Sequence, residues 1–283
     1  MRAGVIASLV VLSFITGAEA QERLEMESPE RAEFTVTVLY DNRAGASGLD
    51  PAWGFACLIR GLEKTILFDT GGDAPTLLGN MAKLEIAPDS ADVVVLSHGH
   101  SDHTGGLAGF LDVHGDVAAY VLEAFPDEIG ERARERGADV IEIREPVEIC
   151  AGATLTGRMG GRWQIAEQAL ILSGDDGVAL VTGCAHPGIV DIVARAKELT
   201  GRDVLVVIGG FHLLKHRDSD VLEVIARLKE LGVEYAVPCH CTGDAAIDRF
   251  AEHYGDAFVQ CTAGAVIPVG ELLRRTESGP SSE

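Results

Sequence analysis

"VVVLSHGHSDHTGG", Val93 to Gly106, sets three valines and a leucine directly before His98, His100, Asp102 and His103. The apolar run reads as a buried strand, and the polar cluster lies just past its C-terminal end. Imidazoles and a carboxylate gathered at one strand end are costly to bury unless something compensates for their desolvation. Alternation puts His98 and His100 on one side of an extended segment. Asp102 and His103 come after the chain turns, helped by Gly99, Gly105 and Gly106, and approach the same place from another direction. Neutral imidazoles with a carboxylate suit a borderline cation, so the stretch points to Zn2+, one ion or two, with Mn2+ or Fe2+ as alternatives.

Three later strand-like runs stop at clusters of the same kind: "VTGCAHPG" with Cys184 and His186, "IGGFHL" with His212, and "VPCHCTG" with His240. Of the nine histidines, six sit at these four strand ends, and His114, His216 and His253 fall in polar loops or helices. Strand ends of an α/β sheet converge on one edge, so the six side chains are expected to share a pocket.

The surrounding pattern is α/β. "FTVTVLY" (34–40), "WGFACLIR" and "KTILFDTGG" read as strands, the last two joined by a turn at Gly61. "APTLLGNMAKLEI" has helical spacing, and the chain from Ala118 to Thr156 alternates short strands with the charged helix "PDEIGERARERG". The second half repeats this order: a hairpin around Asp175–Gly177, then helices in "PGIVDIVARAKELTG", "SDVLEVIARLKELG" and "DAAIDRFAEHYG" between strands, with a last strand near "AFVQC". Antiparallel pairs early in each half and strand–helix alternation later predict a sandwich of two mixed sheets covered by helices. One domain is expected over residues 34–275, since no Pro/Gly/Ser-rich linker interrupts it, with a polar tail at 276–283.

Composition bounds the rest. A chain of 283 residues with 47% hydrophobic residues can bury a large core. Its net charge of −21 repels polyphosphate, which disfavours nucleic acid and leaves a small-molecule substrate as the expected partner. Met1–Ala20 combines Arg2, a short apolar run and an Ala18-Glu19-Ala20 ending. That is the pattern of a secretory signal peptide cleaved after Ala20, followed by an exposed leader at 21–33. Export to the periplasm, without stable membrane insertion, is the expectation. Among the six cysteines, Cys57 and Cys150 read as buried thiols. Cys239 and Cys241 alternate onto the face opposite His240, away from the metal, as packing or a surface thiol pair.

"HGHSDHTGG" resembles the H-x-H-x-D-H signature of the metallo-β-lactamase superfamily, and the upstream "FDTGG" with Asp69 resembles the short acidic element that precedes it there. The resemblance spans roughly Phe34 to Pro268. "TGCAHPGI", "GGFHL" and "PCHCTG" narrow it to a branch similar to dihydropterin-ribofuranosylaminobenzene-phosphate synthase and related metal-dependent hydrolases. It implies an αββα sandwich, a first metal on His98, His100 and His186, and a second on Asp102, His103 and His240. Asp69 is read as orienting a ligand histidine. The family's usual bridging Asp is replaced by Cys184, and the usual upstream His is missing. Either Cys184 bridges, or His186 takes the place of that His. His212 is an extra ligand or a proton donor to the leaving group, and Asp102 would orient the nucleophile.

The implied activity is hydrolysis of an ester, lactone, amide or phosphoester by metal-activated hydroxide. The alternatives are C–N bond formation of the synthase type and a non-catalytic metal-binding protein. Trp53 and Trp163 lie in loops that could line the pocket.

Overall fold

The computed structural model describes residues 33–45, 48–160 and 165–274. The expected signal peptide at 1–20, the leader up to residue 32, the tail at 276–283 and Trp163 lie outside the described residues.

Two mixed sheets pack face to face. The first begins with β1 (Thr35–Tyr40), β2 (Ala56–Arg60) and β3 (Ile66–Phe68). It continues with β4 (Val93–Val95), β5 (Ala118–Leu122) and β6 (Asp139–Ile143). The second runs β7 (Val147–Cys150), β8 (Ala153–Leu155), β9 (Leu170–Ser173), β10 (Val178–Thr182), β11 (Val204–Gly210) and β12 (Tyr235–Cys239). A short β13 (Val266–Ile267) returns to β1, giving orders β13-β1-β2-β3-β4-β5-β6 and β12-β11-β10-β9-β8-β7. Each sheet changes from antiparallel to parallel pairing along its width, at β3–β4 in one and at β10–β11 in the other.

The expected last strand near "AFVQC" does not form. Phe258 makes only an isolated bridge to Ala236, and the final strand is Val266–Ile267. The 3-10 turn at Gly255–Ala257 ends the preceding helix against β12, leaving too little extended chain there to make a ladder.

Buried strands here are apolar on both faces because both faces are covered. On β10, Ala179 and Val181 face the core between the sheets, whereas Val178 and Leu180 face a second core. That second core lies under α5 (Ile189–Thr200), α6 (Asp218–Glu230) and α7 (Asp244–Tyr254). Helix α1 (Ala74–Lys83) starts where Asp73 accepts a hydrogen bond from the Thr76 N–H and Pro75 occupies the first turn. Helix α5 stops at Gly201, whose φ of 67° a glycine adopts freely. The short helices α2 (Ser101–Thr104) and α3 (Leu107–Val113) carry the chain away from β4, α4 (Asp127–Arg134) packs on β6, and α8 (Val269–Leu272) closes the described chain. No helix among the described residues is long and apolar enough to cross a membrane.

Candidate metal centre

The parallel strands β3, β4, β10, β11 and β12 all deliver residues from their C-terminal ends to one place, where ligands of open α/β sheets gather. Asp69 follows β3, His98 to His103 follow β4, Cys184 and His186 follow β10, His212 follows β11, and His240 follows β12. Four residues at these strand ends leave extended conformation in the left-handed region: Asp69 (φ 58°), Ala185 (58°), His212 (55°) and His240 (46°). Each such backbone costs roughly 1 kcal/mol or more, a strain concentrated where the side chains must be aimed. Of the glycines of the first motif, Gly105 and Gly106 act by absence of bulk, whereas Gly99 has room for a side chain. Gly106 has ordinary helical backbone angles, but a Cβ on it would stand 2.1 Å from the Thr70 carbonyl oxygen.

All six predicted histidines meet. The ring of His98 lies 4.8 Å from His100, 4.2 Å from His103 and 4.6 Å from His186, centroid to centroid. His103 and His240 stand 4.9 Å apart, and His186 and His212 4.6 Å. Nitrogen faces nitrogen at the centre: His98 Nε2 is 3.2 Å from His100 Nδ1, and His103 Nε2 is 3.2 Å from His240 Nε2. Cys184 Sγ approaches His103 Nε2 at 3.2 Å, and Asp102 Oδ2 lies 3.4 Å from His240 Nε2.

The opposite ring nitrogens are held by other groups. His103 Nδ1 pairs with Asp69 Oδ2 at 2.7 Å, and His98 Nδ1 with Ser97 Oγ at 2.9 Å. His240 Nδ1 pairs with Asn42 Oδ1 at 3.0 Å and His186 Nδ1 with Glu167 Oε2 at 2.9 Å. Fixing the outer nitrogen in this way leaves the inner one with its lone pair toward the centre, the arrangement of metal-ligating imidazoles. Four rings so prepared, with a thiol and a carboxylate among them, fit a divalent cation.

Electrostatics agree. Burial and the neighbouring His103 hold His98 down at about 3, and burial and His240 hold His103 at about 3, so both rings are neutral near pH 7. Burial raises Asp69 to about 7, against the pull of His98 and of the Ser97 hydrogen bonds. Burial would also raise Asp102, but its closeness to His240 and His103 outweighs it and keeps the carboxylate ionised.

Glu167 is the residue the sequence did not disclose. It is fully buried and accepts hydrogen bonds from the backbone N–H groups of Cys184, Ala185 and His186, each at 2.8 Å, besides its contact with the His186 ring. Burial opposes its charge, yet these bonds and His98 hold the carboxyl well below the usual range. Trp53 is also at the site: its indole N–H donates to Asp102 Oδ2 at 2.8 Å and its ring leans on His240 at 4.9 Å.

Cys241 corrects the alternation argument. The chain stops being extended at His240, and the 3-10 turn His240–Thr242 swings Cys241 to the same side, beside Cys184 and His212. Neither Cys239 nor Cys241 is on the surface, and all six cysteines are free and buried. The trios whose donor atoms lie within 4.8 Å of one another are His98–Cys184–His186, His103–Cys184–His240, Cys184–His212–Cys241 and His98–His100–Asp102. They cut across the two ligand sets the resemblance implies, and Cys184 recurs in three of them.

Two mixed sheets between helices, with histidines, a carboxylate and a thiol at one shared edge, place the molecule among αββα metal-binding folds. The chain belongs to the metallo-β-lactamase superfamily, whose profile matches residues 54–240. It is 29% identical over 250 residues to 7,8-dihydropterin-6-methyl-4-(β-D-ribofuranosyl)-aminobenzene-5'-phosphate synthase of Methanocaldococcus jannaschii, covering 73% of this chain and 85% of that one. Among solved structures it is similar to Tm1679, a metal-dependent hydrolase of the β-lactamase superfamily (TM-score 0.69, 27% identity, 83% of this chain and 98% of that one). It also shares its fold with a diphosphatase of the PhnP family (TM-score 0.56, 15% identity, 83% and 96% covered).

Proposed function

We propose that the chain is a metal-dependent hydrolase of small molecules bearing an ester, lactone, amide or phosphoester bond. The observation that carries this reading is the set of inward ring nitrogens, those of His98, His103, His186 and His240 each backed by a hydrogen-bond partner on the far side. His98, His100 and His186 would hold one cation, and Asp102, His103 and His240 another, with Cys184 between them. A divalent cation bound there supplies Lewis acidity and brings the pKa of water toward neutrality.

The chain's own residues do the rest. Asp69 and Glu167 keep His103 and His186 in the ligating tautomer. Asp102, ionised and fixed by the Trp53 indole, is the acceptor that orients an attacking water. A cavity of about 300 Å3 beside the histidines, lined by Trp53, His212, Leu214, Lys215, His216 and Cys241, offers room for the body of a small substrate. Its walls combine apolar surface, with Trp53 and Leu214 about half exposed, and the Lys215 cation.

A second reading, C–N bond formation, is favoured by one observation, the name of the methanogen relative. The test is direct. His98→Ala and His100→Ala should lose bound metal and turnover of ester or phosphodiester substrates together, by elemental analysis and steady-state assay. Full hydrolytic activity after exhaustive chelation refutes the proposal, and pterin condensation without hydrolysis favours the second reading.

A further inference from the structure

We infer a separate site for a thiophilic cation, built from Cys184, His212 and Cys241. It extends the reading above and shares Cys184 with it. Cys241 and His212 appear in none of the other donor trios, and the histidine centre leaves both without a ligand role. Their donor atoms and Cys184 Sγ lie within 4.8 Å of one another. Donors around a tetrahedral zinc stand about 3.5–3.8 Å apart, given bond lengths of about 2.1 Å to nitrogen and 2.3 Å to sulfur. Two thiols and an imidazole form a soft set, which selects zinc and its thiophilic analogues over hard cations such as magnesium.

The fold is arranged to bring these three together across the width of a strand. Cys184 and Cys241 follow β10 and β12, which flank β11 in the sheet, so their sulfurs must meet over the end of β11. The residue there is Gly210. A Cβ on it would stand 2.6 Å from Cys241 Sγ and 3.4 Å from the Cys184 Cα, so any side chain would close the gap. Two hydrogen bonds pin the turn after β11 to the turn after β12: Phe211 N–H to Thr242 Oγ1 at 3.0 Å and Leu214 N–H to the Cys241 carbonyl at 3.1 Å. The left-handed backbone of His212 and of His240 then aims the imidazole and the Cys241 thiol at each other. Three protein donors leave a fourth position, and His212 and Cys241 both line the 300 Å3 cavity. An open position of that kind takes a small ligand or water.

The experiment uses the full chain, kept reduced, titrated with Co2+ and followed by elemental analysis and by thiolate-to-cobalt charge-transfer absorption. Wild-type protein should bind one ion more than Cys241→Ser or His212→Gly. The charge-transfer band should fall in Cys241→Ser and in His212→Gly to what Cys184 gives in the histidine centre. His212 is exposed and its φ suits glycine, so His212→Gly keeps the test sound should the buried thiol be needed for folding. The His98→Ala/His100→Ala protein should lose ions from the histidine centre while the band persists, which separates the two centres. Equal stoichiometry and an undiminished band in wild-type, Cys241→Ser and His212→Gly proteins would overturn the site and leave the histidine centre standing.

Discussion

Replacing Glu167 by Gln isolates what one buried carboxylate does for the site. In the native protein Oε1 accepts from the Cys184 and Ala185 N–H groups, and Oε2 from the His186 N–H and ring. A glutamine oxygen can keep the first pair, but its NH2 then faces two donors at His186. Hydrogen bonds to a charged acceptor contribute about 1.5–3 kcal/mol each, so losing two costs about 3–6 kcal/mol. The ring can restore one, now a neutral bond of about 1 kcal/mol, by moving its proton from Nδ1 to Nε2, leaving a net loss of about 2–5 kcal/mol out of a typical stability of about 5–15 kcal/mol.

That rescue has a chemical consequence, because Nε2 is the nitrogen left to ligate and it would now carry hydrogen. Metal affinity should therefore fall about 10- to 100-fold, the usual effect of losing a carboxylate behind a ligand histidine. Urea unfolding of chelated protein measures the first quantity, and competition with a chromophoric chelator the second. Stability within about 0.5 kcal/mol of wild type, the scatter of ordinary surface changes, together with unchanged affinity, would refute the reasoning.

The same geometry carries three further outcomes. Gly183→Ala places a methyl group 2.1 Å from Ser97 Oγ and 2.9 Å from Asp69 Oδ2, so it should destabilise by about 1–3 kcal/mol and weaken metal binding. Calorimetry showing a wild-type transition would contradict this. Trp53→Phe keeps a ring near His240 but removes the donor to Asp102; kcat/KM should drop about tenfold, roughly 1.4 kcal/mol, with folding stability unchanged. Identical steady-state kinetics would show that the indole N–H has no part in the reaction. The chelated protein should also lose stability on acidification. His98 and His103 sit near 3 in the fold, so below pH 6.5 the unfolded chain takes up two protons that the folded one refuses. Asp69, near 7 in the fold and near 3.8 unfolded, opposes with one proton the other way. The net single proton between pH 6 and 4.5 corresponds to about 1.4 kcal/mol lost per pH unit. A urea midpoint that rises as the pH is lowered from 6 to 4.5 would reverse the sign and sink the assignment.

Much of this site is legible from local spacing, and the parts that are not have physical reasons. His98, His100, Asp102 and His103 are written within one short stretch of chain, and the later histidines announce themselves by following apolar runs. Asp69 is found through the resemblance of "FDTGG" to the family's acidic element, and lies just past the strand that delivers it. Glu167 carries no such mark: its partners are backbone N–H groups 17 to 19 residues further on, and a backbone group has no signature in a sequence. Alternation misplaces Cys241 because it presumes extended chain, which ends at the left-handed His240. The strand expected near Phe258 is absent because the turn Gly255–Ala257 leaves too little extended chain beside β12, so Phe258 makes a single bridge there.

His103 descends from one sheet and His240 from the other, 137 positions apart along the chain. An ion held by both, as proposed, would fasten the two halves of the polypeptide much as a covalent cross-link does, and long closures of this sort restrict the unfolded chain most. Loaded protein should consequently come apart only after its cation has left. Resistance to protease would then track the rate of ion release, and starvation for metal would mark the molecule for destruction as well as silencing it.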